Sequence, residues 1–227
     1  MILNAIIAVV IGYLLGSIPF AYIAGRLKKG VDVRQVGGGN VGALNVMREV
    51  GVAAGFAVLA ADVAKGLVAV FVARWLGLPL IWVLVVGFAA VAGHNWPVFL
   101  RFRGGKGGAT IMGVLLALIP REFAISFAII AIIVIITSNP TLGFGIGMAC
   151  LPLIIWQFNG SDMLIIYSLA LANKLRDSPI QSLVYSSYVA IKAFHSLKKA
   201  YYNSSSFSFI NITSYDLNLH LTSPFTS

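Results

Sequence analysis

Three short stretches of this 227-residue chain hold side chains suited to chemistry on phosphorylated compounds. The first is Gly37-Gly38-Gly39-Asn40-Val41-Gly42, with Arg34 before it and Asn45 and Arg48 after it. Its four glycines in six residues cost backbone entropy on ordering. In return they offer exposed amides that can form an anion-holding nest, and each flanking guanidinium can grip phosphate oxygens through paired hydrogen bonds. A plain interhelical turn needs neither the two asparagines nor the arginines. The second stretch is Arg103-Gly104-Gly105-Lys106-Gly107-Gly108-Ala109-Thr110. It shares with nucleotide P-loops a lysine among unhindered amides at a helix N-terminus. It is not a Walker motif, which needs a glycine five positions before the Gly-Lys pair; that position is Leu100. Phosphate binding is expected there, nucleotide binding is not.

The third stretch pairs Asp62 with Lys65, three apart on one helical face. An ionised pair inside an apolar segment is expensive and usually functional; the plainer reading is an ion pair pinning two helices. Gly66 beside it permits close approach of a neighbouring helix or loop. His94 and Asn95 stand at the mouth of the second glycine loop, where His94 is a candidate base or hydrogen-bonding group. His195 and His220 are given no such role.

The rest of the sequence says what must position these groups. The chain is 59% hydrophobic and only 10% charged, against about 25% charged in an ordinary soluble domain. Its apolar runs are continuous and not alternating, so the fold class is an all-α, polytopic integral membrane protein and not a barrel. The net charge of +9 sits beside those runs, which points to anionic lipid headgroups or an anionic substrate and away from nucleic acid. The lone cysteine, Cys150, is expected in the core. No His-Glu-x-x-His, cysteine pair or Gly-x-Ser-x-Gly occurs, and carboxylates near the loops are limited to Asp32, Glu49 and Asp62. Hence no metal or cofactor is called for, and serine acyl hydrolysis is set aside.

About seven transmembrane or membrane-embedded helices are expected, over 2–25, 50–73, 75–93, 109–119, 123–137, 142–156 and 163–172. The first is read as a retained helix, since it lacks a basic leader. Pro120 is read as closing the fourth. With the N-terminus outside, Arg26, Lys28, Lys29, Arg34, Arg48, Arg101, Arg103, Lys106, Lys174 and Arg176 all fall inside, against Arg74 and Arg121 outside. That positive-inside bias turns both glycine loops toward the cytoplasm, where they can form one site. Residues 1–177 are taken as one membrane-embedded domain. Residues 178–227 form an atypical extension, with a weak surface-helix signal over 178–199. Thirteen of the last 27 residues are Ser, Thr or Asn, so no stable domain is expected in them.

Read together, these motifs resemble the bacterial membrane glycerol-3-phosphate acyltransferases that use acyl phosphate as donor. That family's Gly-Ser-Gly-Asn-x-Gly-x-x-Asn-x-x-Arg pattern stands here as residues 37–48, with Gly38 where serine is usual. Its Asp-x-x-Lys-Gly pattern is Asp62, Lys65 and Gly66, and its Gly-His followed by Phe-x-Gly-Gly-Lys-Gly is Gly93-His94 and residues 102–107. Gly16-Ser17-Ile18-Pro19 and Asp32-Val33-Arg34 also fit. The family's closing segment, with its histidine and asparagine, has no match in Tyr167–Arg176. The resemblance implies transfer of an acyl group from acyl phosphate to the sn-1 hydroxyl of glycerol 3-phosphate, giving lysophosphatidate and phosphate in a multi-pass protein of the cell membrane. No protein partner is implied beyond the substrates and membrane lipids.

On this reading Arg34, Arg48, Lys65 and Lys106 hold two phosphates, with Arg103 and the amides of Gly37, Gly38, Gly39, Gly42, Gly104, Gly105 and Gly107. Ser17, Asn40 and Asn45 supply neutral hydrogen bonds. His94, Lys106 and Arg48 are the catalytic candidates, and Asp62, Gly66 and Asn95 orient the site. An acyl phosphate is already activated, so positioning and charge stabilisation supply most of the rate. The proton of the attacking hydroxyl goes to His94 or to a phosphate oxygen. A transporter for an organic phosphate would use the same cations, but the paired repeats such proteins show are missing. A purely structural membrane protein leaves the two glycine loops unexplained.

Overall fold

A computed structural model describes residues 1–173, and all of its regular structure is helical apart from turns. The chain is an all-α polytopic membrane protein. The boundary expected at 177/178 and the surface helix expected over 178–199 lie outside the described residues.

The first apolar run breaks where a single span was expected. Helix α1 (Ile2–Ser17) stops before Pro19 and α2 (Phe20–Lys29) starts after it. Proline lacks the amide that would continue the ladder and pushes its predecessor into extended backbone; Ile18 accordingly sits at φ −60°, ψ 118°. Helix α2 runs on past Gly25, with Arg26, Lys28 and Lys29 in its last turn, where cations suit the negative end of the dipole. It ends at Gly30, whose φ of +68° is the left-handed cap that glycine adopts without strain.

The loop after it contains one short helix, α3 (Ala43–Glu49), before α4 (Val52–Trp75) and α5 (Leu80–Asn95). A 3₁₀ turn over Val98–Leu100 leads through the second glycine loop into α6 (Gly108–Leu118). Pro120 closes α6 as expected, with Ile119 before it out of the helical region at φ −139°, ψ 64°. It also opens α7 (Pro120–Thr137) from the first turn, where a missing N–H costs nothing. Helix α8 (Pro140–Phe158) is capped by Asn139, whose side chain accepts from the amides of Thr141 and Leu142 at 3.1 Å each. Helix α9 (Asp162–Asn173) is the last described element.

Among the described residues five helical stretches are long and apolar enough to cross a membrane: Ile2–Lys29, Val52–Trp75, Leu80–Leu100, Pro120–Thr137 and Pro140–Phe158. The other two helices expected to cross or lie embedded in the membrane, α6 and α9, are shorter apolar helices. At about 1.5 Å per residue, the 11 residues of α6 reach about half of a ~30 Å hydrocarbon core. Both contribute buried side chains, among them Ile111, Leu115 and Leu171. Cys150, expected in the core, is only half-buried.

Small residues set which helices touch. A Cβ on Gly16 would overlap the Ala90 carbonyl, and one on Gly93 would overlap the Tyr13 carbonyl, so α1 and α5 pack backbone to backbone. Helices α4 and α6 do the same at Gly66 against Thr110 and at Gly113 against Val63. Association inside a membrane relies on such close approach, because lipid is as apolar as leucine. These two tight contacts bring the end of α1, the middle of α4, the end of α5 and the start of α6 to one place.

Candidate active site

That meeting place is a small pocket whose lining includes Ser17, Pro19, Phe20, Val41, Asp62, Lys65, His94 and Pro97. Its centre is polar and buried. The Lys65 ammonium lies 2.8 Å from Asp62 Oδ1, with side-chain exposures of 4% and 2%. The contact is an ion pair by distance without hydrogen-bond alignment. Lys65 Nζ donates instead to the Ile18 carbonyl at 3.2 Å, and it lies 5.8 Å from the centre of the Phe20 ring. His94 Nδ1 stands 3.6 Å from the same Asp62 oxygen, close but beyond hydrogen-bond length. Asp62 therefore faces a cation on its own helix and an imidazole on the next. Ser17 is fully buried and donates its hydroxyl to the Tyr13 carbonyl at 2.8 Å, while the Tyr13 hydroxyl donates to the Trp96 carbonyl at 2.8 Å.

The first glycine loop is organised from within by Asn45. Its amide nitrogen donates to the carbonyls of Val33 (2.8 Å), Asn40 (3.0 Å) and Val36 (3.3 Å), and its oxygen accepts from the Gly38 amide at 2.8 Å. Asn40 accepts from the Gly42 amide at 3.1 Å, and the Gly39 amide donates to Val36 at 3.1 Å. Gly37 and Gly39 hold φ of +55° and +65°, which explains their residue type. The amides of Gly38, Gly39 and Gly42 thus bond inside the loop, and Asn45 is its frame, where an outward-facing anion nest was expected.

The second loop is wrapped on the end of α5. The Gly105 amide donates to the His94 carbonyl at 3.1 Å. A Cβ on Gly104 would overlap that carbonyl, one on Gly105 would overlap His94 Nε2, and one on Gly107 would come within 2.6 Å of Asn95 Oδ1. Asn95 and Gly66 therefore shape the loop and the helix contact beside it. Gly107, at φ +83°, is the N-cap of α6.

Arg34 ties the two loops together. Its Nε and Nη2 donate to the two Asp32 carboxylate oxygens at 3.0 and 2.7 Å, and its Nη1 donates to the Leu100 carbonyl at 3.3 Å. The guanidinium also lies 5.3 Å from the centre of the Tyr22 ring. Both glycine loops consequently lie at one end of the helices. Arg34 was expected to grip phosphate, yet each of its nitrogens already has a protein acceptor. Arg48, Arg103 and Lys106 are exposed and have no partner among the described residues. Sequence reasoning missed Tyr13, Phe20, Tyr22 and the Ile18 carbonyl. The spacing Asp32-x-Arg34 and the proline at 19 were the available signals for two of these contacts. Among the described residues no three His, Cys, Asp or Glu side chains are placed to hold a metal ion.

The Asp32–Arg34 pair predicts a pH dependence. Hydrogen bonding to the Arg34 guanidinium holds the Asp32 carboxyl below its ordinary range. A carboxyl depressed in the folded state contributes stability above its unfolded value, about 3.9, and that contribution is lost as pH falls through the lower folded value. The thermal midpoint in detergent is expected to fall below about pH 4, and to fall less in Asp32→Asn. Parallel curves for the two proteins would remove the pair from the acid response.

The comparisons with known proteins agree with this geometry. Residues 6–190 match the family described as glycerol-3-phosphate acyltransferase. Glycerol-3-phosphate acyltransferase 2 of Dehalococcoides mccartyi is 44% identical over 155 residues, 68% of this chain and 74% of the relative. Glycerol-3-phosphate acyltransferase 1 of the same organism is 45% identical over 170 residues, 72% and 82% of the two chains. Among solved structures, PlsY, an integral membrane glycerol 3-phosphate acyltransferase in its glycerol 3-phosphate form, superposes with a TM-score of 0.71 at 33% identity. That match covers 75% of this chain and 86% of PlsY. The chain belongs to the glycerol-3-phosphate acyltransferase family.

Proposed function

We propose that this enzyme transfers an acyl group from acyl phosphate to the sn-1 hydroxyl of glycerol 3-phosphate, the first step of phospholipid synthesis. The observation that carries the reading is the Arg34–Leu100 hydrogen bond, which joins the segments leading into the two glycine loops. The hydroxyl oxygen of glycerol 3-phosphate attacks the acyl carbonyl carbon, the carbon–oxygen bond to phosphate breaks, and inorganic phosphate leaves. Arg48, Arg103 and Lys106, with the α6 N-terminus, hold the phosphates and stabilise the charge that builds on the leaving group. Ser17 and the Asp62–His94 pair line the pocket that receives the head of the substrate. His94 faces Asp62 through Nδ1 and Gly105 through Nε2, which favours a phosphate oxygen over His94 as the acceptor of the hydroxyl proton.

Residues 1–177 are the acyltransferase domain, with α6 and α9 as shorter embedded helices completing a set of seven. The charge distribution favours the cell membrane, the N-terminus outside and both loops on the cytoplasmic side. The acyl chain stays among the helices while its phosphate reaches the loops. The assay is direct: purified protein in detergent, given acyl phosphate and labelled glycerol 3-phosphate without cofactor, is expected to yield labelled lysophosphatidate. Passage of intact label into sealed liposomes with no lysophosphatidate would establish transport instead.

A further inference from the structure

Lys65 carries a charge that the acyl transfer, as described, does not use. Its side chain is 4% exposed, and its ammonium is bounded by Asp62 (2.8 Å), the Ile18 carbonyl (3.2 Å) and the Phe20 ring (5.8 Å). Ile18 lies at the corner where Pro19 breaks the first span, and its carbonyl also accepts from the Phe20 amide at 3.2 Å. Irregular backbone at membrane depth persists only where neighbouring groups satisfy it. A carbonyl has two lone pairs, and here one is met locally and the other from α4. The residues flanking that corner, Ser17 and Phe20, line the pocket together with Asp62 and His94. One ammonium thus connects the broken span to α4, and through Asp62 to the His94 face of α5.

We propose that Lys65 is a positioning residue of the acyl transfer: with its charge balanced by Asp62, it acts as a hydrogen-bond strut that holds the Ile18–Pro19 corner, and with it Ser17 and Phe20, against the substrate pocket. The proposal rests on the acyltransferase reading of the site and departs from direct phosphate binding, in which the positive charge itself is needed. A strut needs a donor at this position and no net charge.

The test separates donor from charge. Lys65→Met removes both, and a displaced pocket wall is expected to lower kcat about 100-fold. The double variant Asp62→Asn/Lys65→Gln removes both charges and keeps a donor for Ile18 and an acceptor for His94. It is expected to recover kcat about tenfold over Lys65→Met, the remaining loss falling on Asp62's own place in the pocket lining, with the KM for glycerol 3-phosphate raised by no more than about threefold. A loss in the double variant as large as in Lys65→Met, or a KM for glycerol 3-phosphate raised about tenfold or more in it, would overturn the strut. Amide hydrogen exchange of residues 15–24 gives a readout independent of catalysis. Exchange there is expected to quicken in Lys65→Met and stay near the parent rate in the double variant. Unchanged exchange in Lys65→Met would equally overturn the proposal. Should Lys65→Met fail to fold, the double variant leaves no buried charge orphaned and decides alone, by the same KM threshold and by whether its exchange stays near the parent rate.

Discussion

Lys106→Ala is expected to lower kcat/KM by about 100- to 1000-fold, the range typical of losing one preorganised charge-stabilising group, while the thermal midpoint stays where it was. The separation of the two effects follows from placement. Lys106 is exposed and has no partner among the described residues, so its removal strips no hydrogen bond from the fold. Its neighbour Gly107 is the N-cap of α6, so the ammonium stands beside the positive end of a helix dipole. Two like-signed features at one point have no structural purpose of their own. On the function proposed above, a substrate phosphate occupies the space between them. The loss should fall mainly on kcat if Lys106 meets charge that develops on the departing phosphate, and mainly on KM if it only holds a ground-state phosphate. Steady-state kinetics with acyl phosphate and glycerol 3-phosphate varied in turn gives the partition. Unaltered kinetics would take Lys106 out of the site.

The sequence made the class, and the segments that border the candidate site, legible through independent signals. Continuous apolar runs identify helices in a membrane, and the two glycine-rich basic stretches are separated by two apolar spans, which returns the chain to the side it left. The Arg34–Leu100 bond joins residues that flank the two stretches. What was hidden is the division of labour among the cations. Arg34 and Arg48 look equivalent on paper, flanking the same glycines. In the fold Arg34 is engaged by Asp32 and Leu100, whereas Arg48 is exposed. Lys65 likewise reads as a phosphate ligand by type, while in the fold its ammonium donates to the Ile18 carbonyl, 47 positions away in the chain. Charge type and spacing along the chain report what a residue can hold; which acceptor reaches it first depends on tertiary packing.

Proline gave the same lesson in two places. Pro19 lies inside a run with no charged residue from 2 to 25, and hydropathy alone passes over it, although its missing N–H should end a helix. Pro120 satisfies the rule for a stop and the rule for a start, and the chain uses both, ending α6 at Leu118 and opening α7. Helices α6 and α9 were placed by their apolar residues, but composition does not distinguish a half-length helix buried in a bundle from a span.

The glycines of the second loop support the other large effect. Gly104→Ala is expected to abolish most activity, about 100-fold or more, because displacing a positioning loop by an ångström can cost that much. Gly108→Ala, four residues on, is expected to stay within about twofold of the parent, as a surface alanine near a helix start is worth only tenths of a kcal/mol. Flexibility cannot explain that contrast, since both changes remove the same backbone freedom. Geometry does. A Cβ at 104 would overlap the His94 carbonyl and approach the Asn95 carbonyl to 2.6 Å. Both are backbone atoms at the end of α5, and they cannot retreat without unwinding the helix that carries His94. At 108 the nearest atom is the Phe144 ring at 3.8 Å, an ordinary contact. The consequence of the clash is also directional. The loop must lift from α5, breaking the Gly105–His94 bond of 3.1 Å and moving Lys106 with it. Gly104→Ala should therefore reproduce the kinetic signature of Lys106→Ala, and combining the two should cost little more than either alone, because residues acting as one unit are not additive. Kinetics of the two single variants and the double form the measurement. Independent, multiplicative losses would mean that the loop's hold on α5 serves something other than the placement of Lys106.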